Sequence, residues 1–431
     1  MEILTRPELG VLADDLTGAT DTGLQFAKCG HRTCVCLAWP ATPACDVLVF
    51  DTDSRHLDAP QARQRSGEAA RALQAAGVRR FYKKIDSTAR GNLGAEIEGA
   101  LEATGLAQAL ICPAFPKLAR TVRDGQVFVR GVPLPRTEFA HDPTWPATTA
   151  SLEAILRRQS DAPIARVDLA EVRRGPATVR ARLAEHWERG TRLVVADAEV
   201  DLDLRCLVEA ARQSGQGVLT AGSAGLAEWL VGLLSHRTHP ARNSAVGKGA
   251  TLIVSGTVNR TGVGQLARLI EQGAAHTTLA IDAVLDDAPA ATDAAAGQVV
   301  DQLRLGGCVV LSLADPRRPA PDVGQFAAEH RLSPSELNTR LVNALAAVTE
   351  QAIGAVLPAA LIVTGGDTAR AVTNALGSNA LEVEREAAPG VPICVLQGGR
   401  WDGLVVVTKA GGFGEPDTLV RVVRQLEEQR T

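Results

Sequence analysis

The sequence predicts an α/β protein of two domains, each built on a mainly parallel sheet flanked by helices. Three observations carry this. Apolar runs of strand length alternate with stretches of helical period along almost the whole chain. The strand runs are apolar at consecutive positions, as in Val47-Leu48-Val49-Phe50, the pattern of strands covered on both faces. A polar segment without either period, residues 235–249, interrupts the alternation and reads as an interdomain linker. The expected domains are therefore 1–240 and 250–431.

In order, the first domain reads as strand 10–13, helix 20–29, strands 33–38 and 47–51, helix 60–76, strand 81–85, helix 93–104 and strand 109–112. Residues 113–146, rich in Pro, Gly and Arg, read as a long loop or a small hairpin region. Alternation resumes with strand 164–168, helix 177–189, strand 193–196, helix 202–214, strand 217–221 and helix 224–234. Past the linker, strands are expected at 251–255, 278–281, 308–313, 361–364, 393–396 and 404–408. The Ala-rich stretch 288–296 reads as a loop feeding a helix.

Composition narrows the function classes. With 431 residues, 45% hydrophobic and 22% charged, the chain can bury a sizeable core. Lys+Arg at 45 against Asp+Glu at 49 gives −4, without the basic excess of a nucleic-acid binder. Aromatics at 3% offer few platforms for stacking bases. No apolar run approaches the roughly 18 residues that span a bilayer, and the start of the chain lacks signal-peptide features. Eight cysteines at irregular spacing, none in C-x-x-C, fit reduced thiols. The expectation is a soluble cytoplasmic protein with a small-molecule substrate and neither a nucleic-acid nor a membrane partner. Homo-oligomerisation stays open.

In parallel sheets, ligands bind at the carboxyl ends of strands, where helix N-termini point. This sequence repeatedly puts Gly, Ser, Thr, Asp and Lys there. Asp14-Asp15 closes the first strand; paired acids can supply a general base, a cation ligand or acceptors for hydroxyls, although one can simply cap the next helix. Arg55 follows the strand 47–51 and can clamp a carboxylate, or pair with a nearby Asp. Lys83-Lys84-Ile85-Asp86-Ser87-Thr88, with Arg90-Gly91-Asn92, concentrates cations and hydroxyls at another strand end and suits a small anionic, hydroxylated ligand. Residues 112–125, which include Arg120, can form a lid or wall of the same cleft.

The second half repeats the placement with glycines: Val254-Ser255-Gly256-Thr257, Thr364-Gly365-Gly366-Asp367-Thr368-Ala369 and Thr408-Lys409-Ala410-Gly411-Gly412-Phe413-Gly414. Glycine lets backbone N–H groups approach phosphate oxygens, and one such turn alone is an ordinary left-handed turn. Three in one domain point to a polyphosphate pocket. There is no P-loop, no dinucleotide fingerprint and no G-x-S-x-G elbow. His236 and His239 read as solvated linker residues.

Taken in order with Pro389-Gly390-Val391-Pro392, these motifs resemble the four-carbon acid sugar kinase family, over residues 10 to 420. Ala89 departs from the larger residue expected between Thr88 and Arg90. The resemblance implies an ATP-dependent kinase acting on the terminal hydroxyl of threonate, erythronate or 3-oxo-tetronate. It implies a sugar-acid domain followed by a nucleotide domain, with the active site in the interdomain cleft. The implied substrate residues are Asp14, Arg55, Lys84, Ile85, Asp86 and Ser87. The implied nucleotide residues are Ser255, Gly365, Gly366, Asp367, Thr368, Gly411 and Gly412. Asp14, with Asp15 as the fallback, is expected to act as base or to orient the hydroxyl. Mg²⁺ should accompany ATP, with Asp367 a candidate ligand. A sugar-acid sensor without catalysis, or a sugar-acid aldolase using Lys83 or Lys84, is the alternative.

Overall fold

The computed structural model of the chain describes residues 6–38, 43–142, 145–215, 217–235, 239, 244–257, 259–319 and 323–430. It divides into two compact units, 1–239 and 240–431.

In the first unit, strands β1 (Leu9–Ala13), β2 (Thr33–Cys36), β3 (Val47–Asp51), β4 (Phe81–Lys84) and β5 (Gln108–Cys112) are followed by a hairpin region. That region holds the short strands β6 (Arg120–Arg123), β7 (Gln126–Val129) and β8 (Val132–Pro133), which pair antiparallel. Strands β9 (Ile164–Val167), β10 (Leu193–Ala196) and β11 (Val218–Gly222) complete the unit. The order β2-β3-β1-β4-β11-β5-β10-β9 is parallel throughout. Val47, Leu48, Val49 and Phe50 are all buried, because helices cover both faces of the strands. From β1 the chain passes to β2 and β3 on one side of it, then crosses to β4 on the other. The carboxyl end of β1 thus lies at a switch point of the sheet, the usual crevice for ligands.

The second unit contains β12 (Thr251–Ser255), β13 (Ala275–Thr278), β14 (Cys308–Ser312), β15 (Ala360–Thr364), β16 (Ala380–Ala388), β17 (Val391–Gln397) and β18 (Val405–Lys409). Its order is β13-β14-β12-β15-β18-β17-β16, parallel through β18 and then antiparallel for the last two strands. Ile253, Val310, Ile362 and Val407 pack with Leu419 and Leu426 of the helix Thr418–Glu428 to form its core.

Several sequence expectations are corrected. The first helix runs Leu16–Ala27, not 20–29: Asp15 caps it, its Oδ1 accepting from Gly18 N–H at 2.8 Å. The Ala-rich stretch is no loop. It lies within the helix Ile281–Leu305, whose one break is at Asp287, just before Pro289, and alanine favours the helix that continues from there. Strand β16 escaped notice because its alternating Glu382, Glu384 and Glu386 break the apolar run; Pro389-Gly390 forms the turn that joins it to β17. His239 pairs with Asp46, its Nε2 lying 3.0 Å from a carboxylate oxygen, while His236 lies outside the described residues.

Candidate active site

At the first strand end, backbone hydrogen bonds carry the segment after β3 across β1. Thr52 N–H donates to the Ala13 carbonyl at 2.8 Å, and Ser54 N–H to the Asp14 carbonyl at 3.0 Å. This sets the Arg55 fork against both acids: Nε lies 2.7 Å from Asp14 Oδ2, and Nη1 2.6 Å from Asp15 Oδ2. The two carboxylates then differ. Both oxygens of Asp15 are engaged, one by the helix cap and one by Arg55. Asp14 Oδ1 is buried with no hydrogen-bond partner.

Their charge states differ as well. Burial works against ionising Asp14, but Arg55, Lys83 and Lys84 outweigh it and hold the carboxyl below the ordinary range. Asp15 is pushed up by burial, with the neighbouring Asp14 charge adding to the effect.

The lysine pair splits into two roles. Lys83 is fully buried, 2.8 Å from Glu96 Oε2, and donates to the backbone carbonyls of Leu12 and Lys84. Glu96 also accepts from Ser54 Oγ at 2.6 Å. Lys84 reaches the other way, donating to the Ile85 carbonyl at 3.0 Å. A Cβ on Gly18 would sit 2.9 Å from Lys84 Nζ and 2.5 Å from Asp15 Oδ1, so this helix turn needs glycine to admit the ammonium. Asp86 accepts from the Thr88 hydroxyl and from Arg90 at 2.9 and 3.1 Å. Burial opposes its charge, but Arg90 and Arg55 hold its carboxyl well below the usual range. Ile85 and Ser87 are buried within this same strand end.

In the second unit, the three glycine turns converge. Ser255 and Thr364 are partners in register on β12 and β15, with Thr364 Oγ1 donating to Ser255 Oγ at 2.7 Å. Thr364 is in turn beside Lys409 of β18, whose carbonyl accepts from Gly365 N–H at 2.9 Å. A Cβ on Gly256 would run into Thr368 Oγ1, and one on Gly411 into Thr257 Oγ1. Gly365 has φ +99°, and Gly366 and Asp367 are the first residues of the helix Gly366–Ala375, whose N-terminus carries backbone N–H groups that the helix itself does not bond. Gly412 is less constrained: its Cβ would lie 3.2 Å from the Asn259 side chain. Asp367 accepts from Asn338 at 2.7 Å.

Comparison with known proteins matches these two regions separately. A sugar-binding N-terminal domain model fits residues 9–230, and a nucleotide-binding C-terminal domain model fits 252–419. The chain is 34% identical to the D-threonate kinase of Salmonella typhimurium LT2, over 97% of this chain and 98% of that one. It is also 34% identical to the 3-oxo-tetronate kinase of Cupriavidus necator H16, over 98% of both chains. The chain belongs to the four-carbon acid sugar kinase family. Among solved structures, one from Haemophilus influenzae superposes with a TM-score of 0.70 at 25% identity, over 97% of this chain and 100% of that one.

For a sugar-acid kinase, two buried cations stand out that the motif reading left in the background. Lys409 is fully buried and donates to the Ala410 carbonyl at 2.8 Å, with no carboxylate partner among the described residues. Arg120 is 8% exposed and likewise lacks a carboxylate partner there. The signal for Lys409 was present: a cation at a strand end in a glycine-rich context. Among the described residues, no three His, Cys, Asp or Glu side chains cluster as metal ligands, and no helix is long and apolar enough to cross a membrane.

Proposed function

We propose that this kinase transfers the γ-phosphoryl group of ATP to the terminal hydroxyl of a four-carbon sugar acid such as threonate, erythronate or 3-oxo-tetronate. The first domain would hold the acid through Asp14, Arg55 and the run Lys84 to Ser87. The second would hold the nucleotide through Ser255, the run Gly365 to Thr368, and Gly411 with Gly412. The observation that most supports this division is the contrast in donors: the first strand end carries charged side chains and an open carboxylate oxygen, while the second presents glycine turns and hydroxyls.

In the reaction, the substrate hydroxyl oxygen bonds to the γ-phosphorus, the bridging P–O bond breaks, and ADP leaves. The hydroxyl proton goes to Asp14 Oδ1, the acceptor that the protein itself leaves unfilled. Asp15 keeps the helix turn and Arg55 in place. Lys409 offers positive charge beside the glycine turns for the phosphate oxygens. A magnesium ion fits a donor set of one carboxylate, Asp367 in the first turn of its helix, completed by phosphate oxygens, and would supply charge neutralisation when bound.

The kinase relatives do not favour a sensor or an aldolase, and Lys83 is tied to Glu96, unlike a free Schiff-base amine. A cytoplasmic location would suit the eight unbridged cysteines. The test is coupled ADP release with a panel of four-carbon acids. Acid-dependent release with at least one member is expected; ATP turnover with none of them overturns the reading.

A further inference from the structure

Arg120 begins β6, just beyond the carboxyl end of β5, at the same edge of the first unit as the acids and lysines described above. Its backbone is fixed on both sides: Arg120 N–H donates to the Phe115 carbonyl at 3.1 Å, and Phe115 N–H returns a bond to the Arg120 carbonyl at 2.8 Å. Ala119, with φ +53°, makes the tight turn that delivers it. The side chain is 8% exposed and its Nε has no hydrogen-bond partner. Its guanidinium lies 5.1 Å from the Phe139 ring centroid, and the Arg90 guanidinium lies 5.4 Å from that same centroid.

A buried guanidinium without a carboxylate is costly. Every other arginine of this strand end is matched: Arg55 by Asp14 and Asp15, Arg90 by Asp86 and Asp142. Asp86 and Glu138 sense the Arg120 charge but are already committed to Arg90 and Arg130. A carboxylate clamp was expected of Arg55, yet its Nε and Nη1 are held by the protein's own acids. The carboxylate of an incoming acid therefore needs a different partner, and Arg120 is a preset guanidinium with donors to give.

Building on the sugar-acid kinase reading above, we infer that Arg120 binds the carboxylate of the four-carbon acid and sets the preference for an acid over a neutral polyol. The planar fork suits a bidentate carboxylate contact, and the Phe139 ring lies against it.

The test compares wild type with Arg120→Ala and Arg120→Lys, using the preferred acid of the panel and the neutral tetritols threitol and erythritol. Loss of a charged hydrogen-bonding partner should raise KM for the acid about 10- to 100-fold in Arg120→Ala. KM for ATP should stay within about twofold, as a purely local change predicts. Activity with the tetritols should be unchanged, so the preference for acid over polyol collapses. Arg120→Lys, which keeps the charge and loses the fork, should fall between.

Thermal unfolding supplies a readout that a packing role would not give. Ligand-free Arg120→Ala should melt no lower than wild type, since an unpaired buried charge is removed, while the rise in melting temperature on adding the acid should shrink in both variants. A lowered ligand-free melting point with unchanged KM for the acid overturns the inference and makes Arg120 a packing residue. Should Arg120→Ala fail to fold, Arg120→Lys with wild-type KM for the acid overturns it equally. If the wild-type protein phosphorylates no four-carbon acid, the kinase reading itself fails, a result separable from any behaviour of Arg120.

Discussion

Lys83 and Lys409 are both fully buried at carboxyl ends of parallel strands, yet only Lys83 has a carboxylate beside it. The same contrast runs through the two regions. In the first unit, charges are locked into pairs before any ligand arrives: Arg55 with Asp14 and Asp15, Arg90 with Asp86, Lys83 with Glu96. In the second, the strand ends are made of Ser255, Thr364 and glycine turns, with a single lysine among them. A lysine with its own counter-ion is already satisfied by the fold, whereas one without it still has charge to offer. Arg55 stands between the two, with Nε and Nη1 held by Asp14 and Asp15.

The largest effect should come from the open carboxylate oxygen beside Arg55, Asp14 Oδ1. Asp14→Asn keeps the shape but removes the proton acceptor, and turnover should fall by about 10² to 10⁴. KM for ATP should remain near wild type. Asp15→Asn retains a capping side chain and should cost far less turnover. The reverse ranking in steady-state kinetics would exchange the roles of the two acids.

The lysine contrast gives the next effect, read as stability by denaturant unfolding. Lys83→Met strands Glu96 in the interior and should destabilise the fold by about 3–5 kcal/mol. Lys409→Met strands nothing and should leave unfolding unchanged or raise its midpoint, while weakening ATP about tenfold or more, as expected for loss of a charged contact. If both variants lose stability equally, the distinction between a paired and a waiting lysine fails.

Within the glycine region, the two neighbours should separate. A Cβ at position 411 meets Thr257, held beside the end of β12, whereas one at 412 meets the tip of Asn259, which can shift. Gly411→Ala should therefore raise KM for ATP several times more than Gly412→Ala. Equal effects would mean that phosphate approach, not packing against Thr257, governs both positions.

Much of this was legible in the chain. Consecutive apolar positions such as 47–50 announce strands covered on both faces, and runs like Asp14-Asp15 and Lys83-Lys84 mark the strand ends where ligands gather. What stayed hidden depends on pairing across the fold. Nothing local says that Lys83 turns to Glu96 while Lys84 turns to the Ile85 carbonyl, since adjacent strand residues face opposite ways. Nor does anything local say that Arg55 also pairs with Asp14 and Asp15, about forty residues away. The start of the first helix was masked by the polar Thr17, Thr20 and Asp21, which are buried in the structure. Arg120 could not be distinguished from the surface arginines nearby until its burial and its lack of a carboxylate were seen.

The smallest expected effect is a pH dependence. Burial lowers the Lys409 ammonium from 10.5 to about 8. Between those values the unfolded chain holds this proton more tightly than the folded one, so stability from this group rises as pH climbs from about 8 to 10.5 and is flat below. Lys409→Met removes the titrating group and should remove that rise, which the difference between wild-type and variant unfolding curves isolates from every other titration. ATP affinity should move in the opposite sense, because only the charged ammonium attracts phosphate: it should weaken as pH passes upward through about 8 in the wild type and stay level in the variant. A wild-type-minus-variant difference that does not change across this window would mean that Lys409 is charged and satisfied in the folded protein, and would move it from the waiting class to that of Lys83.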